Sequence, residues 1–197
     1  GAFWELRSDG TIAKMAFEFP IRAVIPRMQV AHPTEQQEVA MKVYLVHHTD
    51  ALSAEQDPGR HLSELGCEQA DRIGERLQAI GAAPVRILHS DRQWTTETAE
   101  RVASVLGLSD KTETASYPCN TGDSIEPFIN DIKTCPGDIM MAGHFQFLLH
   151  TASRLLCGDE NIQIIEFKPG NGTTFCLEGE GNDWVVAYGW RPEHPPG

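Results

Sequence analysis

Two short apolar runs, far apart in the chain, both end on histidine. Met41-Lys42-Val43-Tyr44-Leu45-Val46-His47-His48-Thr49 reads as a buried strand followed by two imidazoles, and Ile139-Met140-Met141-Ala142-Gly143-His144 repeats the pattern with one. Runs this short, bounded by polar residues, suit the central strands of a parallel sheet. Open α/β sheets bind ligands beyond the carboxyl ends of their strands. Two such strands lying close together would bring His48 and His144 to one point. A neutral imidazole placed there can attack phosphorus and carry the phosphoryl group covalently, if an acceptor holds its other ring nitrogen.

The punctuation between these runs gives the order of elements. Leu62, Leu65, Ile73, Leu77 and Ile80 fall near helical spacing, with Gly81 as a stop signal. A second strand is expected over 85–88. Ser90 with Gln93 resembles a capping box and opens a helix through Ala99, Val102, Val105 and Leu106 that ends near Gly107. Asp123 with Glu126 starts another helix carrying Ile125, Phe128, Ile129 and Ile132. The run 138–142 is a third strand, and Phe145, Leu148, Leu149, Ala152, Leu155 and Leu156 form an amphipathic helix after it. Residues 162–167, 173–177 and 184–188 are strand-like, with a turn at Asn171-Gly172. The expected fold is a three-layer α/β/α sandwich around a mostly parallel central sheet, with a β-rich end.

Residues 1–40 differ from this domain of 41–190. They carry Pro20, Pro26 and Pro33 and a polar patch over 34–38, and Phe17–Met28 can supply one short strand or an arm, including one for a homodimer. Gly1 suits the remnant of a cleaved tag. Residues 191–197 form a C-terminal tail. A net charge of −12 argues against a nucleic-acid or anionic-membrane partner, and no apolar run is long enough to span a bilayer. The five cysteines are scattered without a C-x-x-C pair, which points away from a disulfide framework and a structural zinc site and toward the cytoplasm. Neither a metal nor a cofactor is expected.

Four segments in order then resemble the motifs of the histidine phosphatase superfamily, the phosphoglycerate-mutase-like fold, and most of all its compact SixA-type phosphohistidine phosphatases. Leu45-Val46-His47-His48-Thr49 is similar to the family's Leu-Val-Arg-His-Gly. Arg60-His61-Leu62-Ser63-Glu64-Leu65-Gly66, with Gln69-Ala70, is similar to Arg-Pro-Leu-Ser-x-x-Gly. The stretch from Ser90 to Ala99 aligns with Ser-Pro-x-x-Arg-x-x-Gln-Thr-Ala, and Gly143-His144-Phe145-Gln146 with Gly-His-Asn-Pro. The resemblance covers Met41 to about Trp190.

It implies that His48 is the nucleophile and that His144 stabilises the phosphoryl oxygens. The two family arginines fall on His47 and Trp94, so both are replaced. His47 is then either a phosphate contact or a buried structural histidine, since adjacent strand residues face opposite ways. Arg92, two residues before Trp94, is the first candidate for the missing charge, provided it lies in the loop before the helix; Arg60 is the second. Asp123 and Glu126 lie where a proton donor can approach, with helix capping as the plainer role. Ser90 reads as a cap and Trp94 as a packing residue or lid. Two functions follow. One is a phosphatase, weak or altered, acting on a phosphohistidine protein or a small phosphoester. The other is a catalytically inactive relative serving as a phosphoryl-binding or protein-interaction module.

Overall fold

The structure, a computed structural model, describes residues 40–168 and 170–191 and the backbone of two short strands, β1 (Phe3–Leu6) and β2 (Ile12–Met15). The expected strand or arm over Phe17–Met28 and the tail beyond residue 191 lie outside the described residues. The chain divides into two units, Gly1–Glu38 and Val39–Gly197. In the first, β1 and β2 pair antiparallel, with Phe3 opposite Met15.

The second unit is built on a six-stranded sheet. Its elements in chain order are β3 (Met41–His47), α1 (Glu64–Ala79), β4 (Arg86–His89), α2 (Gln93–Leu106), β5 (Thr112–Thr114), α3 (Glu126–Thr134), β6 (Ile139–Gly143), α4 (Phe145–Cys157), β7 (Thr174–Glu180) and β8 (Asp183–Trp190). The spatial order is β5-β4-β6-β3-β7-β8. The first four strands are mutually parallel, and β7 and β8 add an antiparallel edge. The expected α/β sandwich is what forms.

Strand alternation shows why. Val43, Leu45, Leu88, Ile139, Met141 and Leu177 pack with Phe128, Ile132, Leu148 and Ala152 of α3 and α4. Their neighbours Tyr44, Val46, Ile87, Met140, Ala142 and Cys176 pack with Ile73, Leu77, Ala99 and Val102 of α1 and α2. Each central strand is therefore apolar on both faces, which is why β3 and β6 read as continuous runs.

Local signals set the helix ends. Ser63 caps α1 by accepting the N–H of Gly66, and Gly107 and Gly158 end α2 and α4 in the left-handed conformation. One expected strand does not form. Residues 162–167 are irregular and join neither open edge of the sheet, β5 or β8. Ile162 and Ile164 stay exposed, while Phe167 turns into the core.

Candidate functional site

The carboxyl ends of β3, β4 and β6 bring together the residues that the resemblance singles out. Parallel pairing sets His47 beside Gly143 and His89 beside Ala142. The N–H of His48 donates to the carbonyl of Gly143 at 3.1 Å, tying the two histidine loops together. His48 lies just past the end of β3, and its ring sits 4.3 Å from that of His47, so the two imidazoles lie side by side rather than on opposite faces. The rings of His48 and His144 are 5.6 Å apart, edge to face. The indole of Trp94, in the first turn of α2, lies 6.0 Å from His48 and 6.1 Å from His144.

The tautomer of His48 follows from its surroundings. Nδ1 lies 2.9 Å from the carbonyl oxygen of Thr49, which can only accept, so Nδ1 carries the proton and Nε2 keeps its lone pair. Burial lowers the pKa of His48, and the charge of Arg60 adds to that effect against the Thr49 carbonyl. A neutral ring with a bare Nε2 is the form a nucleophile needs. Thr49, which stands where the family motif has glycine, is fully buried. Its N–H and hydroxyl meet the hydroxyl of Thr98 at 3.2 Å, and Thr98 in turn donates to the carbonyl of Trp94. The loop that carries His48 is thus fastened to α2.

His144 is the N-cap residue of α4 and makes no side-chain cap bond. The first-turn amides and the helix dipole therefore stay available to an anion. Its Nε2 lies 2.9 Å from the hydroxyl of Ser90, which also meets Thr95 Oγ1 at 2.7 Å and accepts the N–H of Arg92. Ser90 is therefore not the cap of α2. That position belongs to Arg92, without a side-chain bond, and Ser90 instead orients the second histidine. The sequence carried one hint of this role: Ser90 opens the motif segment that contains Trp94. Burial, followed by the charges of His48 and Arg92, pushes the pKa of His144 down to about 4.

His47 is 2% exposed, and its Nδ1 lies 2.9 Å from the carbonyl of His48. Burial, with His48 next in effect, pushes its pKa down to about 3. His47 is consequently neutral at ordinary pH and braces the backbone of His48, with the N–H of Gly170 3.3 Å from the same Nδ1.

The two candidate arginines differ in placement. Arg92 is 51% exposed, with Nε 3.6 Å from Asp91 and 3.4 Å from Asn120 Oδ1. Arg60 lies with its guanidinium carbon 4.2 Å from the centroid of the Trp94 ring. Asp123 accepts the N–H of Asn120 at 2.8 Å, close to the Arg92 side of the site. Glu126 pairs instead with Arg154, in the last turn of α4 and so roughly 15 Å along that helix from His144. Among the described residues no group of three or more His, Cys, Asp or Glu could hold a metal ion.

Comparison with known proteins bears on the fold. The sequence profile of the histidine phosphatase superfamily (branch 1) matches residues 43–116. The chain superposes on the protein histidine phosphatase SixA complexed with tungstate, with a TM-score of 0.66 and 17% identity over 77% of this chain and 97% of that one. It is similar to mycobacterial glucosyl-3-phosphoglycerate phosphatase in complex with VO3, with a TM-score of 0.56 and 15% identity over 76% and 98%. It is also similar to the α-ribazole phosphatase of Shigella flexneri, with a TM-score of 0.57 and 14% identity over 74% and 94%. No curated protein matches the sequence. The chain has the phosphoglycerate-mutase-like fold of the histidine phosphatase superfamily.

Proposed function

We propose that this protein is a phosphatase of the histidine phosphatase superfamily, acting on a phosphohistidine or phosphoester through a phospho-His48 intermediate. The observation that carries the reading is the fixed tautomer of His48, with Nδ1 held by the Thr49 carbonyl and His144 5.6 Å away. Nε2 of His48 attacks phosphorus as the bond to the leaving group breaks, and the leaving group takes up a proton. Water then attacks phosphorus, the P–N bond breaks, and inorganic phosphate departs. His144, the amides at the start of α4 and an arginine stabilise the equatorial oxygens. Asp123 is the better placed of the two carboxylates for the leaving-group proton, because Glu126 is held by Arg154.

Tungstate and VO3, held by two of the similar structures, are oxyanions of the kind this site would grip. The partner is then a phosphorylated protein or a small phosphoester. Five free cysteines support a cytoplasmic setting, and no helix among the described residues is long and apolar enough to cross a membrane.

Incubation with an aryl phosphate, followed by an alkaline quench that preserves phosphohistidine, tests the reading. The expected result is a trapped phospho-enzyme and slow turnover, both lost in His48→Ala. No phospho-enzyme and no turnover at any pH from 4 to 9 would overturn it. A second reading, an inactive phosphoryl-binding or protein-interaction module, draws on Trp94, which sets a neutral indole beside both histidines. It expects His48→Ala to leave partner binding unchanged.

A further inference from the structure

Arg60, at φ 53, is the one non-glycine residue with positive φ among the described residues. A side chain with a Cβ disfavours that conformation, and residues held in it concentrate at functional sites. Here the surroundings impose it from both sides. The carboxylate of Asp57 accepts the N–H of Gly59 at 3.1 Å and the N–H of His61 at 2.9 Å, and its Oδ2 also meets the imidazole Nδ1 of His61. The carbonyl of Asp57 accepts the N–H of Arg60 at 2.9 Å. On the other side, Glu97 of α2 accepts the N–H of Leu62 at 2.7 Å.

The side chain of Arg60 is held as firmly. Nε donates to the carbonyl of Leu52 at 3.2 Å, and the guanidinium carbon sits 4.2 Å from the Trp94 ring centroid. Trp94 is the same ring that lies edge-on to His48 and His144. Stacking on an indole leaves the terminal N–H donors of a guanidinium free to fork onto an oxyanion. The indole N–H of Trp94 is itself buried without a partner. Such groups are rare in folded proteins.

We infer that Arg60 is the phosphate-binding cation of this site, presented by Trp94 as a stacking platform and by Asp57 as the positioning residue that locks its turn. This rests on the phosphatase reading and names the group that supplies the charge. Arg92 does not fill the role, because Asp91 and Asn120 hold it at the exposed rim.

The test is calorimetric binding of tungstate, run beside aryl phosphate turnover and phospho-enzyme trapping. Arg60→Ala is expected to weaken tungstate binding at least tenfold and to lower kcat by about 10²–10³-fold, the usual effect of removing one preorganised donor. Added methylguanidinium should restore part of that turnover, which it would not do if Arg60 were merely structural. Arg60→Lys should not restore it, since an ammonium lacks the planar stack. Asp57→Ala should weaken tungstate binding by about tenfold by freeing the turn, and Asp57→Asn, which keeps an acceptor for the amides, should lose less.

Tungstate binding equal to wild type in Arg60→Ala and Arg60→Lys, or no tungstate binding by the wild-type protein, overturns the inference. If phospho-His48 still forms in that case, the phosphatase reading survives. Conversely, Arg60-dependent tungstate binding without any phospho-enzyme removes the enzyme and keeps the anion site. An unchanged Asp57→Ala removes Asp57 from the device.

Discussion

Acid should destabilise this protein through its buried imidazoles, and the effect can be sized. Burial pushes His47 down to about 3 and His144 down to about 4. Both are neutral in the folded protein at a pH where the unfolded chain binds protons. Their contribution is complete above the unfolded value of about 6.5, declines as pH falls below it, and levels off only below the folded values. Between pH 6.5 and 5 the fall is about 1.4 kcal/mol per pH unit, or about 2 kcal/mol for each histidine. Together that is about 4 kcal/mol, against a typical total stability of about 5–15 kcal/mol. His61 works the other way, since hydrogen bonding to Asp57 raises its pKa, but it is exposed and common to every variant compared. The perturbation is His47→Gln, which keeps a donor for the His48 carbonyl but cannot titrate. Urea unfolding followed by circular dichroism at pH 7 and pH 5 gives the loss for each protein. The loss in His47→Gln should be smaller than that of wild type by about 2 kcal/mol. An equal loss in the two proteins would show that His47 is not held neutral by the fold, and the brace assigned to it would fail.

Two further substitutions probe the scaffold of the site. A Cβ on Gly66 would stand 1.9 Å from the carbonyl oxygen of Asp50, two residues after the nucleophile, with no flexible atom to yield. Gly66→Ala should therefore destabilise by about 3 kcal/mol or more, at the upper end of overpacking, and slow phosphorylation of His48, read from the urea midpoint and the burst of phospho-enzyme. Ser90→Ala removes the partner of His144 Nε2 and should cost about 1–3 kcal/mol of stability while lowering turnover. Full activity in Ser90→Ala would show that the second histidine needs no anchor.

Much of the fold is legible in the chain because its central strands are buried on both faces. Val43 to His47 and Ile139 to Gly143 have no exposed side to interrupt the apolar pattern. The same holds for α4, whose stripe from Leu148 to Leu155 meets the core directly. Residues 162–167 show where local pattern fails. Their β-branched residues favour a strand, but a strand also needs a partner to pair with, and this segment reaches neither open edge of the sheet, at β5 or β8. Ser90 shows a related limit. A serine three residues before glutamine fits a cap, yet its hydroxyl is drawn to a histidine far away in the chain, and nothing near Ser90 announces that histidine.

The site divides along similar lines. Strand ends are fixed by register, so His48 and His144 can be placed from the sequence alone. The cation cannot, because the reach of an arginine from a loop depends on backbone angles that the loop's own sequence does not reveal. Electrostatics narrows the choice once the geometry is known. Burial drives His47, His48 and His144 toward their neutral forms, so the imidazoles bring no positive charge of their own to meet a phosphoryl dianion. Arg92, beside Asp91 at the rim, acts on His144 more strongly than Arg60 does but is not among the charges that shift His48. Arg60 lies on the ring that adjoins both histidines, and its charge is felt by both of them. On the proposed reading, a protein of net charge −12 holds an anion through one cation and a few fixed donors, because field within a desolvated site is set by the nearest groups and is only weakly offset by screened charges at the surface.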